Sequence, residues 1–206
     1  MQKIDLIQKK YTFLYLGLLI VLGLGIRMWY FPFDIPIVTD GFFSFVYTSK
    51  MIFDGGLPIG YTTTNTGWSY LLSPIFSIVG NTEPFQLMVV QRVSTVIISS
   101  LTIIPVFFLL KKFVNTKFSL FGCLLFALEP RLLLISLEGI NFTLFVFIFI
   151  TSIALFLRRT NISIALSFVC IALISLVRYE GILLLIPFSI MFIIFNKKKK
   201  NYLKLI

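Results

Sequence analysis

Long apolar stretches separated by short basic segments constrain this chain more than any other feature of its sequence. Of the 206 residues, 58% are hydrophobic and 24 are phenylalanine. A water-soluble domain is usually about 45–50% apolar. The pattern therefore predicts an all-α polytopic membrane protein.

A helix that crosses the hydrocarbon of a bilayer needs about 20 apolar residues, with about 17–25 as the usual range. Six segments are predicted to span, at 11–31, 86–110, 118–135, 140–157, 161–177 and 181–196. Tight turns join the last four, which favours one transmembrane helical domain over residues 1–206. The first segment is interpreted as a retained span, because no small-residue cleavage site follows it.

Basic residues group on one side of this predicted bundle. Thirteen of the 18 lysines and arginines precede the first span, separate the second from the third and the fourth from the fifth, or follow the sixth. The positive-inside rule makes that side, with both termini, cytoplasmic. Topology and contact with anionic membrane lipids account for the clusters, so the net charge of +10 requires no nucleic-acid partner.

The opposite, outer side carries mixed charge. It holds seven of the eight acidic residues, together with five basic residues. The acids are Asp34, Asp40, Asp54, Glu83, Glu129, Glu138 and Glu180, and the bases are Arg27, Lys50, Arg92, Arg131 and Arg178. Because acidic residues contribute little to topology, this segregation indicates a polar site at the outer face.

The first outer loop, 32–85, is the only long one, and it is too apolar to be disordered. It is predicted to contain two interfacial helices, at about 41–53 and 66–79. The second is too short to span, since 14 residues reach only about 21 Å. Asp40 is a good N-cap for the first helix, and the Gly-Gly-x-Pro segment that follows is a good stop.

Asp40 has two interpretations, which are compatible. It caps a helix, or it is a base or cation ligand held in position at the start of a rigid element beside the membrane. The absence of histidine excludes a Ser-His-Asp triad and a His-ligated zinc site. Cys123 and Cys170 lie inside apolar runs, where packing explains them.

Several segments together resemble the membrane glycosyltransferases of the GT-C class. They are Arg27 at the outer end of the first span, Asp40 in the first outer loop, "GGLPIG", "GWSYLLSPIF", "LEPRLLLISLEGINFTLFVF" and "LVRYEGILLLIP". The likeness covers most of residues 12–195. It is closest to the branch of protein O-mannosyltransferases, lipid A aminoarabinose transferases and archaeal relatives, and more distant from oligosaccharyltransferase catalytic subunits.

The resemblance implies transfer of a sugar from a polyprenyl-phosphate-linked donor to an acceptor on the non-cytoplasmic face, in the cell envelope. It places the role of catalytic base on Asp40, with Glu138 and Glu129 as lesser candidates. Arginine meets phosphate oxygens in a bidentate way, so the lipid phosphate is expected to bind Arg92 and Arg178, with Arg27 and Arg131 secondary. Structural ion pairs with Glu129, Glu138 or Glu180, or contact with headgroups, are the alternatives for these arginines.

The chain departs from the family pattern at two places. Gly41 stands where the O-mannosyltransferase branch often has a second acid, and "GINFT" lacks the paired acids of the oligosaccharyltransferases. A divalent cation is therefore left open as a cofactor. Family members usually have further spans and a folded outer domain, so the chain is expected to be an N-terminal part or a truncated relative.

Two other functions remain open from the sequence. A transporter or channel component would place ionisable groups at the middle of the membrane, whereas here they cluster at the outer rim. A non-catalytic membrane scaffold or an inactive fragment would bind lipid phosphate without turnover. The sugar and the acceptor are not specified by these residues.

Overall fold

The fold is described from a computed structural model, which describes residues 2–37, 40–53, 65–80 and 83–203. Within these residues the protein is all-helical and contains no strand. The α-helices are α1 (Gln2–Trp29), α2 (Asp40–Phe53), α3 (Gly67–Val79), α4 (Pro84–Leu101), α5 (Ile103–Leu110), α6 (Thr116–Leu128), α7 (Pro130–Leu137), α8 (Phe142–Phe156), α9 (Asn161–Val177) and α10 (Leu185–Leu203). A 3₁₀ helix, Tyr179–Leu184, joins α9 to α10.

Two helical segments are long and apolar enough to cross a membrane, as expected of a membrane protein. They are Tyr11–Trp29 and Pro84–Leu110, with 19 and 27 residues. The second includes both α4 and α5. The other apolar helices of the described ranges include α8 and α9, which have 15 and 17 residues and fall below this length. By helix length and composition, the described residues contain two possible spans, or three if α6 and α7 together form one. The sequence predicted six.

In the structure the third predicted span, 118–135, is a bent pair of helices instead of one straight helix, and its crossing of the membrane stays a prediction. It consists of α6 and α7, bent by 51° at Glu129 and Pro130. Proline has no backbone N–H to continue the ladder of α6. The Glu129 carboxylate instead accepts a hydrogen bond from the Leu132 N–H and so caps the start of α7.

The two helices of the first loop pack against the bundle. Trp68 and Leu72 of α3 are fully buried in a cluster with Phe45 of α2. Leu144 of α8 and Val177 of α9 belong to the same cluster. This apolar contact fixes the start of α2 near the end of α9. Whether α2 and α3 lie in the membrane interface stays a prediction, and the predicted stop "DGGLP" lies outside the described residues.

Hydroxyl side chains inside the bundle donate hydrogen bonds to backbone carbonyls of their own helices. Examples are Ser100 to Val96, Thr151 to Phe147 and Ser152 to Phe149, at 2.9, 2.7 and 2.7 Å between the oxygen atoms. Polar groups in an apolar surrounding need such internal partners, because no water is available there. Large apolar side chains on the outside, such as Ile162 and Leu176, remain exposed.

Candidate functional site

A polar cavity of about 180 Å³ lies where α2, α8 and α9 meet. Its lining consists of Asp40, Phe43, Asn65, Asn141, Val177, Arg178, Tyr179 and Glu180. The cavity thus brings together a helix-terminal carboxylate, a guanidinium, a second carboxylate and two carboxamides. Asp40 and Arg178, the leading base and a leading phosphate ligand predicted from the sequence, line the same cavity although 138 positions separate them.

Two asparagine side chains hold the C-terminal end of α9. The last carbonyls of a helix have no partner within it. The Asn65 Nδ2 donates to the Ser175 carbonyl at 2.7 Å, and the Asn141 Nδ2 donates to the Val177 carbonyl at 3.1 Å. Both asparagines are at least nine-tenths buried. The end of α9, and therefore the residue that follows it, is fixed in position.

That next residue is Arg178, whose backbone is extended and turns the chain into the 3₁₀ helix. Its Nη2 donates to Glu180 Oε1 at 3.1 Å, and its Cζ lies 5.8 Å from the centre of the Phe142 ring. The hydrogen bond from Arg178 holds the pKa of Glu180 below its usual value. The side chain of Arg178 is one-third exposed, at 33%, so a ligand in the cavity can reach it.

Asp40 is the first residue of α2 and is exposed. The partial positive charge at a helix N-terminus favours a carboxylate there. The structure begins α2 at Asp40 itself, one residue earlier than predicted, so Asp40 occupies the first helical position; that its carboxylate caps α2 stays a prediction. The side chain is available to a group in the cavity.

Gln91 fixes the start of α2 against the turn between α7 and α8. Its Nε2 donates to the carbonyls of Gly41 and Gly139, at 2.9 and 2.7 Å. A Cβ atom at position 41 would lie 2.7 Å from the Glu138 carbonyl oxygen and 2.6 Å from a methyl group of Ile37. A second acid beside Asp40 would therefore not fit this packing, which gives a physical reason for Gly41.

Arg92 lies near this site but binds the backbone instead of lining the cavity. Its guanidinium donates to the carbonyls of Pro32, Ile35 and Pro36, and the residue is only 4% exposed. These bonds hold the segment between α1 and α2. Its predicted role in phosphate binding gains no support from this position.

Arg27 is fully buried in the bundle. Its Nε donates to Ser99 Oγ at 3.0 Å, and its Nη1 donates to the carbonyls of Gly23 and Ala127 at 3.0 and 3.3 Å. Ala127 lies in the last turn of α6, whose carbonyls carry the negative end of the helix dipole. In the described part of the chain, no carboxylate pairs with Arg27 or Arg92.

The remaining predicted site residues lie outside the cavity lining. Glu129 caps the start of α7, and Glu138 is the exposed residue that directly follows α7. Arg131 is exposed in the first turn of α7. Across the described ranges, no three Asp, Glu or Cys side chains are grouped closely enough to hold a metal ion.

Three residues that position the site, Asn65, Asn141 and Gln91, were not predicted from the sequence. Asn141 begins a match to a glycosylation signal, Asn-Phe-Thr, and Gln91 directly precedes Arg92. Carboxamides next to apolar helices are costly unless they have partners, and this cost is the signal that points to them.

No protein-family model matches the chain, and no curated protein matches it at a significant level. The chemistry of the cavity is the remaining indication of function: a carboxylate able to accept a proton lies with a guanidinium able to bind an anionic group.

Proposed function

We propose that this protein is a membrane glycosyltransferase that moves a sugar from a polyprenyl-phosphate-linked donor to an acceptor. The observation that carries the proposal is the shared cavity of Asp40 and Arg178 at the start of α8 and the end of α9. It supplies the two groups that glycosyl transfer requires, a base for the acceptor and a cation for the leaving phosphate.

The proposed chemistry assigns one step to each group. An acceptor hydroxyl or amide attacks the anomeric carbon, and its proton passes to the Asp40 carboxylate. The bond between the anomeric carbon and the phosphate oxygen breaks, and its electron pair leaves with the lipid phosphate. Arg178 stabilises the charge that develops there, which lowers the barrier more than it strengthens substrate binding. Glu180 holds Arg178 before the donor binds.

The proposal includes the membrane arrangement predicted from the sequence. Its six spans are 11–31, 86–110, 118–135, which is the bent pair of α6 and α7, then 140–157, 161–177 and 181–196. Both termini are cytoplasmic, and the cavity faces the opposite side. The exposed apolar side chains of α9 and α10 support the location in a membrane, since lipid can cover them.

The experiment is a transfer assay with the full chain in liposomes, supplied with a polyprenyl-phosphate sugar and a range of acceptors. Asp40→Asn keeps the shape of the side chain and removes its basicity, so transfer should fall about 10²–10⁴-fold. Asp34→Asn is the matched control, because Asp34 is exposed and is not among the cavity residues. Equal transfer by wild type and Asp40→Asn would refute the assignment of the base.

The transporter alternative predicts a different result in the same liposomes. It requires free ionisable groups along a path through the spans. Arg27 and Arg92 are buried charges in the two longest spans, but backbone carbonyls bind both. Ion or solute flux without sugar transfer would favour that alternative over the enzyme.

A further inference from the structure

A second cavity, of about 650 Å³, lies on the side of the bundle between α4–α5 and α8. Apolar side chains form most of its lining. The residues are Leu101, Ile104, Pro105, Phe108, Lys112, Phe147, Thr151, Ala154, Leu155 and Arg158. We call it the lateral groove.

Two matched stripes form the walls of the lateral groove. One runs from Leu101 to Lys112 and the other from Phe147 to Arg158, each over 11 residue steps. At 1.5 Å per residue each stripe is about 16 Å long. The hydrocarbon core of a bilayer is about 30 Å thick, so this length matches the acyl chains of one leaflet.

Both stripes finish in a cation at the same end of the bundle. The hydrogen bond from Gln91 of α4 to Gly139, just before α8, shows that the two walls start together. They therefore run in the same direction, toward Lys112 and Arg158. This end is opposite the polar cavity, since Asn141 lies at one end of α8 and Arg158 at the other.

The two cations have no acidic partner within the described residues, unlike Arg178. Their sequence neighbours instead contact aromatic rings. The Lys111 Nζ lies 5.7 Å from the centre of the Phe107 ring, and the Arg159 Cζ lies 4.6 Å from the centre of the Phe195 ring. Lys112 and Arg158 instead belong to the groove lining. An anionic group at the end of the groove would meet two positive charges.

The geometry points to a binding site for an anionic glycerophospholipid in the lateral groove. An acyl chain lies between the stripes, and the headgroup phosphate lies between Lys112 and Arg158. Charge complementarity favours a lipid over an apolar helix of a partner protein, which would leave both cations unpaired. The inference requires insertion into a membrane but does not depend on the glycosyltransferase proposal.

The test is photocrosslinking of the full chain in phosphatidylcholine nanodiscs. A phosphatidylglycerol with a photoactivatable acyl chain is compared with the phosphatidylcholine analogue that carries the same chain, and crosslinked peptides are mapped by mass spectrometry. The phosphatidylglycerol probe should label the segments 101–112 and 147–158 in preference to the rest of the bundle. The phosphatidylcholine probe should label these segments roughly tenfold less.

Substitutions separate this site from a general attraction to the basic face. Lys112→Gln with Arg158→Gln should reduce labelling of the groove by phosphatidylglycerol roughly tenfold or more. Lys117→Gln is the control, because Lys117 lines a separate apolar groove between α1 and α6; this substitution should leave labelling of the lateral groove unchanged. Ala154→Phe fills the lateral groove without altering charge and should also reduce labelling, with folding checked by circular dichroism.

Three results would overturn the inference. The first is equal labelling of the groove by both lipids. The second is unchanged labelling in the Lys112→Gln, Arg158→Gln chain. The third is an equal loss in Lys117→Gln, which would assign the effect to overall charge.

Discussion

Arg92 and Arg178 lie near the same end of the bundle, yet their surroundings differ completely. Arg92 is nearly inaccessible and gives its guanidinium hydrogen bonds to three backbone carbonyls of the segment before α2. Arg178 is one-third exposed and lines a cavity, with one carboxylate partner two residues away. In sequence both are single arginines near the outer end of a predicted span, 86–110 for Arg92 and 161–177 for Arg178.

The difference shows how a membrane bundle can use the same side chain for two purposes. A guanidinium bound by backbone carbonyls joins helices and loops, because it satisfies buried polar groups that water cannot reach. A guanidinium beside an open cavity can exchange its partner for a ligand. Arg27, with Ser99 and two carbonyls as partners, belongs to the first type.

Replacing Arg92 should have the largest effect on stability. Arg92→Gln reaches at most one of the three carbonyls, so it should cost about 3 kcal/mol. The thermal midpoint in detergent, followed by circular dichroism, should fall by about 6–12 °C. Arg178→Gln is the matched comparison and should leave the midpoint nearly unchanged; equal losses in both would remove the distinction between the two arginines.

Asn141 is expected to affect both stability and function. Its buried carboxamide binds the Val177 carbonyl and so positions the end of α9 just before Arg178. Asn141→Ala should cost about 1 kcal/mol of stability by leaving the Val177 carbonyl unpaired. It should also weaken sugar transfer by more than this small loss of folded protein explains. Asn161→Ala, at the exposed opposite end of α9, should change neither quantity. Loss of stability with unaltered transfer would show that Asn141 does not position Arg178.

Replacing Glu180 should change ligand binding least of these substitutions, since its ion pair with Arg178 is exposed. Glu180→Gln releases the guanidinium and should strengthen binding of a polyprenyl phosphate by up to about fivefold. A titration calorimeter can measure this change. Weaker binding by the variant would mean that Glu180 itself contacts the donor.

The pKa of Glu180 gives a pH test of the same pair. Arg178 lowers this pKa, so the pair is fully formed above the usual value of 4.5 and is lost as the pH falls through the lowered pKa. Arg178→Gln should therefore raise the pKa of Glu180 toward its usual value. Carbon-13 NMR of labelled glutamate side chains would measure it.

The sequence predicts the local elements well because their signals are local. Apolar length and turn residues place α2, α3 and α9 within one residue of the segments 41–53, 66–79 and 161–177. The bend at Glu129 and Pro130 also has a local cause, which the hydropathy pattern of 118–135 concealed.

The partners of the polar side chains could not be predicted from local sequence. Asn65 binds the carbonyl of Ser175, 110 positions away, and Arg92 binds carbonyls 56 to 60 positions away. A backbone carbonyl has no side-chain signature, so sequence reasoning instead paired the arginines with acids or phosphate. Asp40 and Arg178 line the same cavity because α2 and α3 pack through apolar side chains against α8 and α9, and no local pattern specifies this packing.

The central claim is that the guanidinium of Arg178 binds the phosphate of a lipid-linked donor. The most direct test is the dissociation constant of a polyprenyl phosphate for the purified full chain, compared with Arg178→Gln and the control Lys50→Gln, which removes an exposed charge from the end of α2. Loss of a charge-assisted hydrogen bond predicts about tenfold to a hundredfold weaker binding for Arg178→Gln and no change for Lys50→Gln. Unchanged binding by Arg178→Gln would contradict the account.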